Sequence, residues 1–145
     1  MDRIERQIHI AAPPERVWSV LTEAEHIAQW FGQTAQVDLR PGGAASFGWT
    51  EHGTSQATIV AVEPPRFFSY RWNLVDDGPA EEGKTSLVEF TLAEQDGGTS
   101  LTVVETGFES LGVSPDRQLK QYQDNVGGWQ AELDELVAYA EKLAG

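Results

Sequence analysis

The 145-residue chain has the length of one domain and is long enough to bury its own core. Ten Lys and Arg against 23 Asp and Glu give a formal charge of -13, which argues against nucleic-acid and anionic-membrane partners, since both would be repelled. The lack of cysteine excludes disulfides and thiolate chemistry. The charged start MDRIERQIHI is no signal peptide, and no apolar run nears the roughly 20 residues of a membrane span, so a cytoplasmic location is expected.

Residues 3 to 11 alternate, with Ile4, Ile8 and Ile10 on one side and Glu5, Gln7 and His9 on the other, as in a half-buried strand. Arg6 falls on the apolar side and must be paired or sit at a strand end. Pro13-Pro14 halts the strand and presets a helix in which Val17, Trp18, Val20 and Leu21 recur at helical spacing. Thr22 is placed as the cap of a second short helix, with Glu25 as its capping-box partner and Ile27, Trp30 and Phe31 on one face. A strand over 34 to 40 and a Pro41-Gly42-Gly43 turn follow. In the next strand Phe47, Trp49 and Glu51 share a face, and another strand runs from Ser55 to Glu63 before Pro64-Pro65.

RFFSYRW then sets Phe68, Tyr70 and Trp72 on one face, and the acidic segment from Asp76 to Glu82 reads as a loop. TSLVEFTLAE places Val88, Phe90 and Leu92 together; Asp96-Gly97-Gly98 is a hairpin turn; and TSLTVVETGF returns with Leu101, Val103 and Glu105 on one side. After Ser114-Pro115, with Ser114 as cap and Asp116 in the first turn, the period changes to that of a helix. Leu119, Tyr122, Val126, Trp129, Leu133, Leu136, Val137, Ala140 and Leu143 trace one stripe along it. The predicted order is a strand, two short helices, six strands joined by turns and one long helix. It defines an α+β fold in which a curved antiparallel meander buries its apolar face against the long helix. No repeat or linker divides residues 1–145, which read as a single domain.

Five tryptophans, Trp18, Trp30, Trp49, Trp72 and Trp129, fall where the pattern points inward. Trp18 and Trp30 fix the short helices. Trp49, Tyr70, Trp72 and Trp129 are the candidates for lining a cavity, because sheet and long helix face each other there. Phe68, Phe90, Val103 and Tyr122 share those inner faces. Glu105 is a carboxylate among apolar neighbours and must be paired, hydrogen-bonded or neutral; Arg71, Arg6 and a tyrosine hydroxyl are the partners at hand. Glu51 is a weaker case of the same kind. Gly127-Gly128 costs the long helix on the order of 1 kcal/mol each, which asks for a reason: close approach to the sheet, a bend, or room for a ligand. His9 falls on a polar strand side, His26 in solvent, and His52 at a turn. None is spaced for a metal, no nucleophile motif accompanies them, and neither a cofactor nor a compact catalytic constellation is expected.

The order of elements, with IAAPPERVWSVLTEAEHIAQWFG, LRPGG, VEPPRFFSYRW, GGTSLTVVETGF and GGWQAELDEL, resembles the START-like (SRPBCC) superfamily. Within it the likeness is to the branch similar to the C-terminal domain of Aha-type activators of the heat-shock-protein ATPase, from about Arg3 to Leu143. The resemblance implies the helix-grip fold, with a cavity between the sheet and the C-terminal helix, here in a stand-alone module. It also implies a binder of a hydrophobic or amphipathic small molecule: a lipid, a polyketide or an aromatic. The expected ligand-binding residues are Trp49, Phe68, Tyr70, Trp72, Phe90, Val103, Glu105, Tyr122 and Trp129. A co-chaperone-like module meeting a chaperone or other basic protein is the alternative. A cyclase- or hydrolase-type enzyme with Glu105 and Tyr70 or His52 as acid–base groups ranks last.

Overall fold

Alternating apolar residues build the sheet and a 3.6-residue period builds the helices, in the order that the sequence predicts. A computed structural model describes residues 2–50 and 53–144. Glu51 and His52 lie outside the described residues. The elements are β1 (Arg3–Ile10), α1 (Pro14–Thr22), α2 (Ala24–Trp30), β2 (Thr34–Val37), β3 (Ala44–Trp49), β4 (Gly53–Glu63), β5 (Phe67–Asn73), β6 (Thr85–Gln95), β7 (Gly98–Thr106) and α3 (Pro115–Ala144). Each strand from β2 to β6 pairs antiparallel with the next, and β1 closes against β7, giving the sheet order β1-β7-β6-β5-β4-β3-β2. This is the helix-grip fold: an antiparallel sheet curved around α3, with α1 and α2 spanning from one sheet edge to the other. A bulge in β4 between Ile59 and Ala61 adds curvature and turns Val60 outward, 44% exposed.

The grip is held by the inner faces of the central strands. Phe68, Tyr70 and Trp72 from β5, Val88 and Phe90 from β6, and Leu101 and Val103 from β7 are all buried. Trp129, Leu133, Leu136 and Ala140 of α3 are buried with them. Each such side chain contributes roughly 1.5–3 kcal/mol by leaving water. The Ser114 hydroxyl accepts the Arg117 amide at 3.2 Å and so caps α3 as expected. Near the other end, Glu141 accepts the Ala11 amide at 2.8 Å, tying α3 to the chain between β1 and α1. Leu119 departs from the predicted stripe. It lies in the first turns of α3, before the helix reaches the sheet, and is 43% exposed.

Other boundaries shift for local reasons. Thr22 does not cap α2. It is the last residue of α1, its hydroxyl donates back to the Trp18 carbonyl at 2.8 Å, and Glu23 takes the capping position without a side-chain bond. The strand predicted over 34 to 40 ends at Val37, where Asp38 and Arg40 close a turn. The strand predicted to reach Phe108 ends at Thr106, and Phe108 starts a 3-10 turn that buries its ring. Arg6 is mid-strand opposite Val103 and has no acidic partner among the described residues; its Nη1 donates to the Glu5 carbonyl at 3.3 Å.

Candidate functional site

The inner face is packed tight at one end and hollow at the other. At the packed end Phe68 and Phe90 stack with ring centroids 6.0 Å apart, and Tyr70 lies 6.1 Å from Phe90. At the hollow end a cavity of about 730 Å³ lies between the start of β4, residues 73–77 and the middle of α3. Its aromatic wall is Phe31, Trp49, Trp72 and Trp129. Phe31 is the hub of this wall, stacked on Trp129 at 5.6 Å and edge-on to Trp49 at 5.1 Å. Its place depends on Gly32, whose φ of +80° makes the turn into β2 and whose Cβ, if it had one, would sit 2.6 Å from the Gly48 carbonyl oxygen.

Glu105 organises the wall from behind. It is 0% exposed, and four donors converge on it. Trp129 Nε1 donates to Oε1 at 2.8 Å and Asn125 Nδ2 to the same oxygen at 2.9 Å. Trp72 Nε1 donates to Oε2 at 2.7 Å, and the Ser86 hydroxyl makes a short bond to that oxygen. Burial pushes the Glu105 carboxyl above its ordinary pKa, while the bonds from Ser86, Trp129, Trp72 and Asn125 pull the other way. Of the partners considered from the sequence, Arg6, Arg71 and a tyrosine hydroxyl, none is used. The indole N–H groups and an amide one helical turn before Trp129 take their place. Both indoles are thereby locked in orientation, with their N–H edges on Glu105, which does not line the cavity, and their apolar rings forming part of its wall.

The remaining lining is polar. Asn73 closes the end of β5: its amide nitrogen donates to Asp76 and to the Gly78 and Pro79 carbonyls, and its oxygen accepts the Val75 and Asp76 amides. This ties the acidic loop over the mouth of the cavity. Glu132, one turn after Trp129, is a wall residue whose Oε2 is buried and without a hydrogen-bond partner among the described residues. Burial, helped by the charge of Glu135, pushes its carboxyl up to about 7, against one bond from the Gly32 amide. Tyr70, buried near Glu105 and Glu132, has its hydroxyl held well above the ordinary range, chiefly by burial.

Of the nine residues singled out from the sequence, Trp49, Trp72 and Trp129 border the cavity, and Glu105 lies directly behind it. Phe68, Tyr70, Phe90 and Val103 belong to the packed end, outside the lining. Tyr122 sits farther along α3, edge-on to Phe108 at 5.4 Å, and donates its hydroxyl to the Arg3 carbonyl at 3.2 Å. Phe31, Asn73, Asn125 and Glu132 border the cavity without being marked by the sequence as site residues. Spacing carried part of the signal: Asn125 and Glu132 lie four before and three after Trp129, hence on its face of the helix. Gly128 also borders the cavity, and a Cβ on it would meet nothing within 4 Å, which favours room over close approach as the reason for that glycine.

Trp18 packs edge-on to Phe68 at 6.2 Å, and Trp30 donates to the Val20 carbonyl at 2.9 Å, so both pin the short helices. His26 is not in solvent. It is half-buried, with Nδ1 2.7 Å from the Tyr139 hydroxyl of α3. His9, exposed, lies 3.1 Å from the Gln95 carbonyl. Ligand atoms of Glu23, Glu25 and His26 come within 4.8 Å of one another, an acidic group of ordinary surface type. No helix among the described residues is long and apolar enough to cross a membrane.

An antiparallel sheet gripping a long helix, with an aromatic cavity between them, defines a START-like domain. Over residues 11–141 the sequence matches the family described as Activator of Hsp90 ATPase homolog 1-like protein, and the chain belongs to that family. Among curated proteins none matches. Among solved structures, protein MLL2253 from Mesorhizobium loti is similar at 26% identity and TM-score 0.81, with 97% of each chain covered. CalU16 from Micromonospora echinospora is similar at 27% identity and TM-score 0.71, over 95% of this chain and 75% of that one. The Aha1 dimer from Colwellia psychrerythraea, at 16% identity, shares the fold with TM-score 0.77 over 97% of each chain.

Proposed function

We propose that the protein binds a small molecule with a substantial apolar or aromatic part in the cavity between the sheet and α3. The observation that carries this reading is the build of the wall. Two indoles that border about 730 Å³ of space are fixed by a buried carboxylate, and that volume is in the usual range of ligand sites. Side chains locked in this way need no reordering when a ligand arrives, which lowers the cost of binding. Gly128 supports the same reading, because a larger residue would fill the space that it leaves. Glu105 is enclosed by its four donors and does not border the cavity, which weighs against it as an acid–base group.

The test is an amide and indole NMR titration with lipids, sterols, flavonoids and other aromatics. Saturable shifts at the Trp72 and Trp129 indoles, with the β1–β7 edge unmoved, are expected. A panel that moves none of these resonances would sink the proposal. The second reading, a module that meets a basic protein such as a chaperone, is favoured by the acidic surface and by the family's description. It predicts that a heat-shock-protein ATPase is retained on the immobilised protein at low salt and released at moderate salt.

A further inference from the structure

The cavity's charge is as distinctive as its rings. Its lining includes the carboxylates of Asp76, Asp77, Asp124 and Glu132 but no lysine or arginine. Two of these acids are already met from outside, Asp76 by Lys84 at 2.9 Å and Asp124 by Lys120 at 2.9 Å. Glu132 is different: its Oε2 is buried with no hydrogen-bond partner among the described residues, an unfavourable arrangement for an acceptor in an otherwise well-bonded wall. The indoles of Trp72 and Trp129 have spent their N–H donors on Glu105, so the parts of them that border the cavity are apolar ring. Indole faces attract cations more strongly than other rings do, and a carboxylate within the same small space adds charge and hydrogen-bond acceptance. A carboxylate-bearing ligand would be repelled by the same lining, and a neutral one would offer Glu132 no charge to pair with.

We propose that the cavity selects an organic cation, whose aromatic or alkyl body lies against Trp72 and Trp129 and whose ammonium group pairs with Glu132. The inference rests on the ligand-binding reading above and adds the chemical class to it.

The experiment uses three compounds of one shape: naphthylmethylammonium, naphthylmethanol and naphthoate. Each is titrated into the full chain by calorimetry and by indole NMR near pH 8, where Glu132 is ionised. The cation is expected to bind on the order of tenfold more tightly than the alcohol, with naphthoate weakest. Glu132→Gln should bring the cation down to the alcohol's affinity and leave the alcohol unchanged, which also shows that the variant is folded. Asp77→Asn, at the mouth, should cause a smaller loss. An alcohol that binds as well as the cation, or a cation preference that survives Glu132→Gln, overturns the proposal while the ligand-binding reading stands. If none of the three compounds moves the Trp72 or Trp129 indole signals, both fall.

Discussion

At the scale of single residues, Glu105 and Glu132 are two buried acids with opposite fates. Glu105 has four donors. Replacing it with leucine would leave the Trp129 and Asn125 donors without an acceptor, at about 1–3 kcal/mol for each that stays buried and unpaired, and would leave Trp72 Nε1 only the Ser86 hydroxyl at 3.0 Å. Glu105→Leu should therefore lower stability by about 3 kcal/mol or more in urea melts and scatter the indole resonances. Glu105→Gln should cost less, because its oxygen can still accept from Trp129 and Asn125 while the Ser86 hydroxyl turns to accept both the new amide and the Trp72 indole, already 3.0 Å away. Equal effects of the two changes would show that the bonds are not what matters.

Glu132 has the reverse problem, since its charged form is the disfavoured one. Its folded carboxyl titrates at about 7 against an ordinary 4.5, so the folded state holds a proton that the unfolded state releases. Its contribution is therefore present in full below about pH 4.5 and is lost as pH rises through about 7. Glu135 on the same helix reinforces this; Tyr70 on the sheet faces it uncharged, and Asp76, Asp77 and Asp124 share the cavity. The full shift would exceed 3 kcal/mol, but the side chain is half in solvent, so screening reduces it to about 1–2 kcal/mol. Glu132→Gln should thus stabilise the protein by that amount near pH 8, with most of the gain gone near pH 4.5. A gain independent of pH would point to packing instead.

At the scale of elements, the long helix is weakest where it meets the cavity. Gly127 and Gly128 are both in the interior of α3, and a Cβ at either would meet nothing within 4 Å. Alanine at each should stabilise the helix by about 1 kcal/mol. The two should differ in binding, because Gly128 borders the cavity and Gly127 does not. Gly128→Leu should abolish ligand shifts at the indoles, while Gly127→Ala leaves them intact. Ligand shifts that persist in Gly128→Leu would place the ligand elsewhere.

At the scale of the whole molecule, the charge of -13 acts on every part of the fold at once. Self-repulsion destabilises a compact acidic chain, and salt screens it. The urea midpoint should therefore rise as sodium chloride increases from a low-salt buffer to roughly physiological ionic strength. A midpoint that falls with salt would mean that ion pairs outweigh the repulsion. The exposed pairs, such as Arg3–Glu5 and Lys120–Asp124, are too solvated to do so.

The architecture was legible in the sequence because it rests on periodicity, which is local. Alternation marked the strands, the Ser114-Pro115 start and its stripe marked α3, and the inward tryptophans followed from both. The short-range errors, at Thr22 and at residues 38–40, came from side chains and turns competing for the same backbone groups. What only the tertiary structure decided was which inward residues face space and which face each other. Phe68, Tyr70 and Phe90 share a pattern with Trp72, yet they are packed while Trp72 borders the cavity. That division depends on the curvature set by the β4 bulge, on a turn at Gly32 and on the loop tied by Asn73. Likewise, a glutamate on an inner face announces that it needs partners. Finding four donors around Glu105, 19 to 33 residues away in the chain, and none among the described residues for one oxygen of Glu132 requires distant elements to be brought together, and no local pattern encodes that.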